Sequence, residues 1–252
     1  MASISVVISC RNEADVITRT LKSLEGVTDD IIIYDNGSTD GTQDIVKQFA
    51  VHLHEGSFDG FGKTKNKAGK LAKYDWILSL DADEAIDEEL KQSLLSFNPD
   101  NDKTVFDLLF KTFLGEKHLK YGEWGSDHHI RLFNRKYVQW DDEPVHEKLV
   151  LPDNSIIKKL KGFVLHYTMK DTDDYSRKMQ RYAMLNAEKY FRQGKRASFY
   201  NLRISPGLTF INCYIIKLGF LDGYLGYVSA KMTAYYTFLK YVRLKELIQT
   251  KS

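Results

Sequence analysis

Three observations predict an α/β fold with a mainly parallel sheet and helices on both faces. Before Asn98-Pro99, short apolar runs alternate with helical spacing. The short connections between these elements fit right-handed crossovers. Three of the apolar runs end abruptly in polar groups. In order, Ile4 to Ser9 reads as a β-rich run. Asp15 to Leu24 reads as a helix through Val16, Ile17, Leu21 and Leu24. Ile31 to Tyr34 is a buried strand, and Thr42 to Phe49 a helix with Ile45, Val46 and Phe49 on one face. Lys65 to Lys73 is helical and Trp76 to Leu80 a strand.

Beyond Asn98-Pro99 the pattern becomes that of a mixed sheet. Val105 to Phe113, Ile130 to Phe133, Tyr137 to Gln139 and Phe163 to His166 read as strands. Asp171 to Gly194 is a long helix that Asp171 or Thr172 can cap and Gly194 ends. A second long helix runs from Asp222 to Ile248. Its apolar seam is Leu225, Val228, Met232, Tyr235, Leu239 and Val242, with Lys231, Lys240, Arg243 and Lys245 off the seam. The expected division is an N-terminal domain over 1–168 and a C-terminal helical region over 169–252.

The 252 residues carry a formal net charge of only +2, which gives no argument for nucleic-acid binding. Lys and Arg concentrate in the last third and acids earlier. Cys10 and Cys213 lie far apart and suggest neither a disulfide framework nor a zinc site, consistent with a reducing cytosol. Met1 to Ile8 lacks a signal-peptide pattern. No apolar run reaches the roughly 18 residues of a membrane span. Gly207 to Leu225 comes nearest and is broken by Asn212, Lys217 and Asp222.

The most informative stretch is Trp76 to Glu84, a buried strand that ends in Asp81, Asp83 and Glu84. Open α/β sheets bind ligands at the carboxyl ends of their strands. Asp81 and Asp83 are two apart, so on a regular strand they point the same way. Converging carboxylates need a positive neutraliser, for which Mg²⁺ or Mn²⁺ with a substrate phosphate is the usual choice. Asp87, Glu88 and Glu89 fit instead the start of the next helix.

Two more strands end in polar groups: Ser9-Cys10-Arg11-Asn12-Glu13 and Asp35-Asn36-Gly37-Ser38-Thr39-Asp40-Gly41. A calcium loop beginning at Asn36 fails at its twelfth position, which is Lys47 rather than Glu. By the strand-end rule the three polar ends converge on one crevice.

These motifs resemble those of the inverting family 2 glycosyltransferases, which have the GT-A nucleotide-sugar-binding fold. The marks are Arg11-Asn12-Glu13, Asp35 to Thr42, and Asp81-Ala82-Asp83. A closer resemblance is to bacterial lipopolysaccharide-core β-glucosyltransferases. It rests on Trp76 to Glu84, Val145 to Leu149, His166-Tyr167 and Gly219 to Gly223. The resemblance implies a metal-assisted hexosyltransferase using a UDP-sugar, with glucose as the expected sugar. The implied acceptor is a lipopolysaccharide-core or other lipid-linked glycan, and the implied location is the cytoplasm, at the cytoplasmic face of the inner membrane.

Carried over by position, Ser9, Arg11 and Glu13 line the nucleoside pocket and Asp35 reads uracil or ribose. Lys65 and Asn66 stand where the family has Arg-Asn, near the diphosphate. Asp83, helped by Asp81, holds the metal, and His166 completes the metal or diphosphate site or else is a core histidine. Arg131 faces the diphosphate or pairs with an acid. Arg11 replaces a frequent Tyr and can stack on a base; Asn36 replaces a frequent second Asp.

An inverting transfer also needs a carboxylate base on the acceptor side. Asp127, Asp141, Asp142, Glu143 and Glu147 are available, and family position favours Glu147. Of His128 and His129, only one is expected to reach any one ligand, because neighbours on a strand face opposite sides. Trp124 and Trp140 either stack on sugar or pack in the core. The basic, aromatic C-terminal helices either touch an anionic membrane or dock by their apolar seam. Two rival functions are a nucleotidyltransferase, against which Ser9 to Glu13 offers no glycine, and a non-catalytic nucleotide-sugar or membrane-associated protein.

Overall fold

The computed structural model describes residues 3–125, 127–141 and 148–250. The order is β1 Ile4–Cys10, α1 Ile17–Ser23, β2 Ile31–Asp35, α2 Thr42–Val46, β3 His52–Glu55, α3 Phe61–Lys70, β4 Trp76–Asp81, β5 Glu84–Ile86 and α4 Glu88–Leu95. There follow β6 Thr104–Leu114, β7 Lys117–Leu119, β8 Asp127–Asn134, β9 Gln139–Trp140, β10 Leu149–Val150 and β11 Ile156–Met169. The helices α5 Thr172–Arg192, α6 Phe199–Arg203 and α7 Ser205–Ile211 come next, then a π-turn, a 3₁₀ turn and α8 Gly223–Thr250.

The main sheet has the strand order β3-β2-β1-β4-β8-β6-β11-β5. It is parallel across β3, β2, β1 and β4, and antiparallel from β4 to β8 and from β11 to β5. The expected mixed, mainly parallel α/β architecture is present, its parallel part being β3, β2, β1 and β4. Alternate residues of the central strands are buried on opposite faces. Val6, Ile8, Ile33, Leu78 and Leu80 pack with α1 and α4, while Val7, Ile32 and Ile77 pack with Ala68 and Ala72 at α3. Strands buried on both faces read as continuous apolar runs, which is why β1, β2 and β4 are visible in the sequence.

The chain divides into two compact units, Met1–Phe110 with His128–Tyr167, and Lys111–Asp127 with Thr168–Ser252. The second unit thus takes in a segment that the sequence places in the N-terminal domain. Its core joins Leu114, Leu119, Met169, Tyr175 and Met179, with Trp124, Leu225, Met232 and Tyr236 packed against them.

Several boundaries differ from the expected ones. Helix α3 stops at Lys70 rather than Lys73 because the Lys73 and Tyr74 N–H groups donate to Asp30 (2.7 Å) and Ser5 (2.9 Å). Helix α2 stops at Val46, after which the chain turns through single bonds from Gln48 to Ile45 and Phe49 to Val46. Tyr137 and Val138 form a turn, leaving only Gln139–Trp140 as strand. In α8 the buried face includes Lys240 and not the exposed Tyr235. Lys240 lies 4.8–5.3 Å from the ring centres of Tyr190, Tyr236 and Tyr241, so rings offset the lost hydration of the ammonium.

Candidate functional site

The strand order changes direction at β1, whose neighbours β2 and β4 carry the chain to opposite sides, and ligands bind at such switch points. Register sets what meets there. Ser9 lies beside Asp81 across β1 and β4, and Cys10 beside Asp35 across β1 and β2. The three polar strand ends therefore leave the sheet from adjacent positions.

Hydrogen bonds join the first two loops. The Asn12 N–H donates to Ser38 Oγ (2.9 Å), Thr39 N–H to Asn12 Oδ1 (2.8 Å), Glu13 N–H to Thr42 Oγ1 (2.8 Å) and Ala14 N–H to Asp40 (3.1 Å). Asn12 adopts φ 58°, a left-handed conformation that Asn tolerates. Asp35 is fully buried. Its carboxylate accepts from the N–H groups of Gly37 (3.2 Å) and Ser38 (2.9 Å), from Gln43 Nε2 (2.7 Å) and from the Ser38 hydroxyl. Burial raises the Asp35 carboxyl, but the bonds from Ser38 and Gln43 outweigh it and hold it below its ordinary range. In this geometry Asp35 shapes the loop from within. Ser9 is partly buried, and Arg11 stands exposed at the loop start.

At the end of β4, Asp81 faces two cations: Lys65 Nζ at 3.0 Å and Arg131 Nη2 at 3.2 Å. Burial opposes ionisation here too, but Lys65 and then Arg131 prevail and keep the Asp81 carboxyl well below the usual range. Arg131 also pairs with the buried Glu84 at 2.5 Å, and Glu84 Oε2 accepts the Asp81 N–H at 2.9 Å. Burial is the main influence on Glu84 and raises its carboxyl. Of the two readings of Arg131, the pairing with acids is observed, and Glu84 orients the turn.

Asp83 lies in the turn between β4 and β5, off the regular strand, so it does not simply repeat the direction of Asp81. The turn is held from outside by Thr20 Oγ1 donating to Ala82 O (2.7 Å) and Tyr167 N–H donating to Asp83 O (2.9 Å). β11 pairs His166 opposite Glu84 and sets His166 Nε2 3.4 Å from the Asp83 carboxylate. Among the described residues no cluster of three or more His, Cys, Asp or Glu could hold a metal. The pair Asp83–His166 suits a cation that arrives with phosphate ligands of its own, since two protein donors are too few to retain one alone.

A cleft of about 490 Å³ opens beside this network, bordered by Lys65, Asp81, Arg131, Trp140, Asp107 and Lys148 among others. Lys65 lies 4.7 Å from the Trp140 ring centre. Asn66 is committed to the Trp140 backbone, donating to its carbonyl (2.8 Å) and accepting its N–H (3.0 Å). Asn66 therefore positions the cleft wall. His128 and His129 both border the cleft. They lie at the exposed start of β8, beyond the register it shares with β4. His128 Nδ1 meets Asp107 at 2.8 Å, a pairing no sequence motif announces because the partners come from different strands. Trp124 donates its indole N–H to Tyr175 (2.9 Å) and packs in the second unit's core. Glu147, with Asp142 and Glu143, lies outside the described residues.

Comparison with known proteins agrees with these motifs. An uncharacterised glycosyltransferase of Rickettsia typhi is 28% identical over 98% of this chain and 88% of its own. A lipopolysaccharide core biosynthesis glycosyltransferase of Rhizobium meliloti, LpsC, is 27% identical over 94% of this chain and 89% of its own. The crystal structure of S. aureus TarS residues 1–349 in complex with UDP aligns over 99% of this chain and 92% of that one, at 17% identity and a TM-score of 0.47. The sequence profile of glycosyl transferase family 2 matches residues 5–151, more than half of the chain and all three strand-end motifs. The chain belongs to glycosyl transferase family 2.

Proposed function

We propose that this glycosyltransferase moves a hexose, glucose in the first instance, from a UDP-sugar to a hydroxyl of a lipopolysaccharide-core sugar, with inversion. The observation that carries the donor half is the register that sets Ser9 beside Asp81 and Cys10 beside Asp35 at the switch point. The acceptor half is supported by the likeness to LpsC along almost the whole chain.

In this reading Ser9, Arg11 and Glu13 line the nucleoside pocket, and Asp35 holds the loop that closes it. Lys65 and Arg131, gathered by Asp81, bring positive charge to the diphosphate side. Asp83 and His166, with Asp81 beside them, would hold Mn²⁺ or Mg²⁺. Such an ion would offset the charge that develops on the departing diphosphate. Glu147 removes the proton from the attacking acceptor hydroxyl, a contribution typically worth about 10²–10⁴-fold.

A thermal-shift screen of nucleotide sugars with and without Mn²⁺ tests the donor assignment, because a ligand that binds only the native state raises its stability. UDP-glucose should raise the melting temperature, more so with Mn²⁺, and Asp83→Ala should lose the Mn²⁺-dependent part. If Asp83→Ala retains the whole metal effect, the metal assignment is wrong. If no UDP-sugar stabilises the protein, the donor reading fails.

A further inference from the structure

Sugar transfer leaves unexplained an apolar surface in the second unit, between Phe199 and Tyr227. Tyr200, Ile204, Leu208, Ile211 and Ile215 recur at spacings of three and four along two short helices and the π-turn, and are each 44–51% exposed. At the turn that follows, Ile216 is 69% and Tyr224 76% exposed. Monomeric proteins rarely leave contiguous apolar surface of this kind open without a use for it.

This surface is held in place by the structure around it. Leu218 turns the chain with φ 58°. Gly226 packs on Gly219 so closely that a Cβ would lie 1.7 Å from the Gly219 carbonyl oxygen. The Asp222 carboxylate accepts the N–H groups of Lys120 (2.8 Å) and Tyr121 (2.9 Å), and Lys217 pairs with Glu123 at 2.7 Å. The exposed side chains thus project from a braced turn, and backbone fraying does not account for them.

Charge decides what covers it. From Lys189 to Lys245 the chain carries ten Lys and Arg and a single acid, Asp222. Even with Lys217 paired to Glu123, Arg243 paired to Glu246 and Lys240 buried, cations outnumber acids in this stretch. A second copy would bring a like charge to this face, whereas an anionic bilayer satisfies both its apolar and its cationic parts. Among the described residues no single helix is long and apolar enough to cross a membrane. The limbs Ser205–Ile216 and Gly219–Thr250 pass together but are bent by 70°. That bend suits two limbs lying along one leaflet better than a straight span.

We infer that the turn from Ile215 to Tyr224 inserts into the interfacial layer of an anionic membrane, with the flanking Lys and Arg on lipid headgroups.

The test is flotation of the full chain with phosphatidylcholine vesicles, with and without phosphatidylglycerol, together with Ile216→Trp quenching by brominated lipid. The chain should float with the anionic vesicles, and Trp at position 216 should be quenched. The double variant Ile216→Glu, Leu221→Glu should keep the parent melting temperature and lose at least about tenfold in partitioning. Absence of binding to anionic vesicles overturns the inference. So does unaltered binding by the double variant, which would mean adsorption without insertion. A dimer that the double variant dissociates, with no vesicle binding, would make this face a contact between copies. If the double variant does not fold, absence of quenching at position 216 overturns the inference.

Discussion

Arg131 is only 8% exposed and holds two carboxylates, Asp81 at 3.2 Å and Glu84 at 2.5 Å. Removing one partner of a buried pair leaves the other charge uncompensated. Arg131→Met should therefore cost about 3–5 kcal/mol, and adding Glu84→Gln should recover part of it in a double-mutant cycle by urea denaturation. A single-variant cost within about 0.5 kcal/mol would show the pairing to be incidental. Asp35 makes a prediction in pH. Its folded carboxyl titrates below the ordinary 3.8. Its stabilisation is then complete above that pH and is lost as the pH falls through the lower, folded value. Asp35→Asn should cost about 1.5–3 kcal/mol at neutral pH, and melting curves should show the gap to the parent closing below pH 3.8. A gap that does not vary with pH would deny the ionised carboxylate this role. Both residues stood out in the sequence, Asp35 by its motif and Arg131 as a cation for the diphosphate or for an acid. Their partners did not, because Gln43 reaches Asp35 and Glu84 reaches Arg131 only after the sheet and helices have formed.

Legibility at the scale of elements follows burial. The Ile31-Ile32-Ile33 run and the Trp76 strand, enclosed on both faces, show in the sequence as unbroken apolar runs. β3, a half-exposed edge strand of His-Leu-His-Glu, has no such pattern, and neither do the short helices around Ser205. The join between α4 and β11 is likewise invisible in advance. Asp87 caps Leu90 N–H (2.9 Å) and also accepts Phe163 N–H (3.0 Å). Gly162, at φ 93°, passes so near that a Cβ would lie 2.0 Å from Leu90 N. Gly162→Ala meets both a disfavoured conformation and a backbone clash. It should cost about 2 kcal/mol or more in chemical denaturation; a change below about 0.5 kcal/mol would mean that the join yields freely.

For the whole molecule, the strand-end rule carried most of the functional reading from sequence to site. It required only that three parallel strands be adjacent, and the order β2-β1-β4 makes them so. The sequence offered a cation as the neutraliser of Asp81, whereas the folded chain supplies Lys65 and Arg131 from α3 and β8 and sets Asp83 apart with His166. Such a division of labour depends on tertiary contacts that no local spacing encodes. The central claim is that this site passes a hexose from UDP to a core sugar. It is tested most directly by incubating the chain with UDP-glucose, Mn²⁺ and a truncated lipopolysaccharide-core acceptor, then measuring released UDP and the mass of the acceptor. One UDP should be released for each hexose added, with Glu147→Gln slowed about 10²-fold or more. An acceptor that gains no hexose from any UDP-sugar, or pyrophosphate formed from a nucleoside triphosphate and a sugar phosphate, would contradict it.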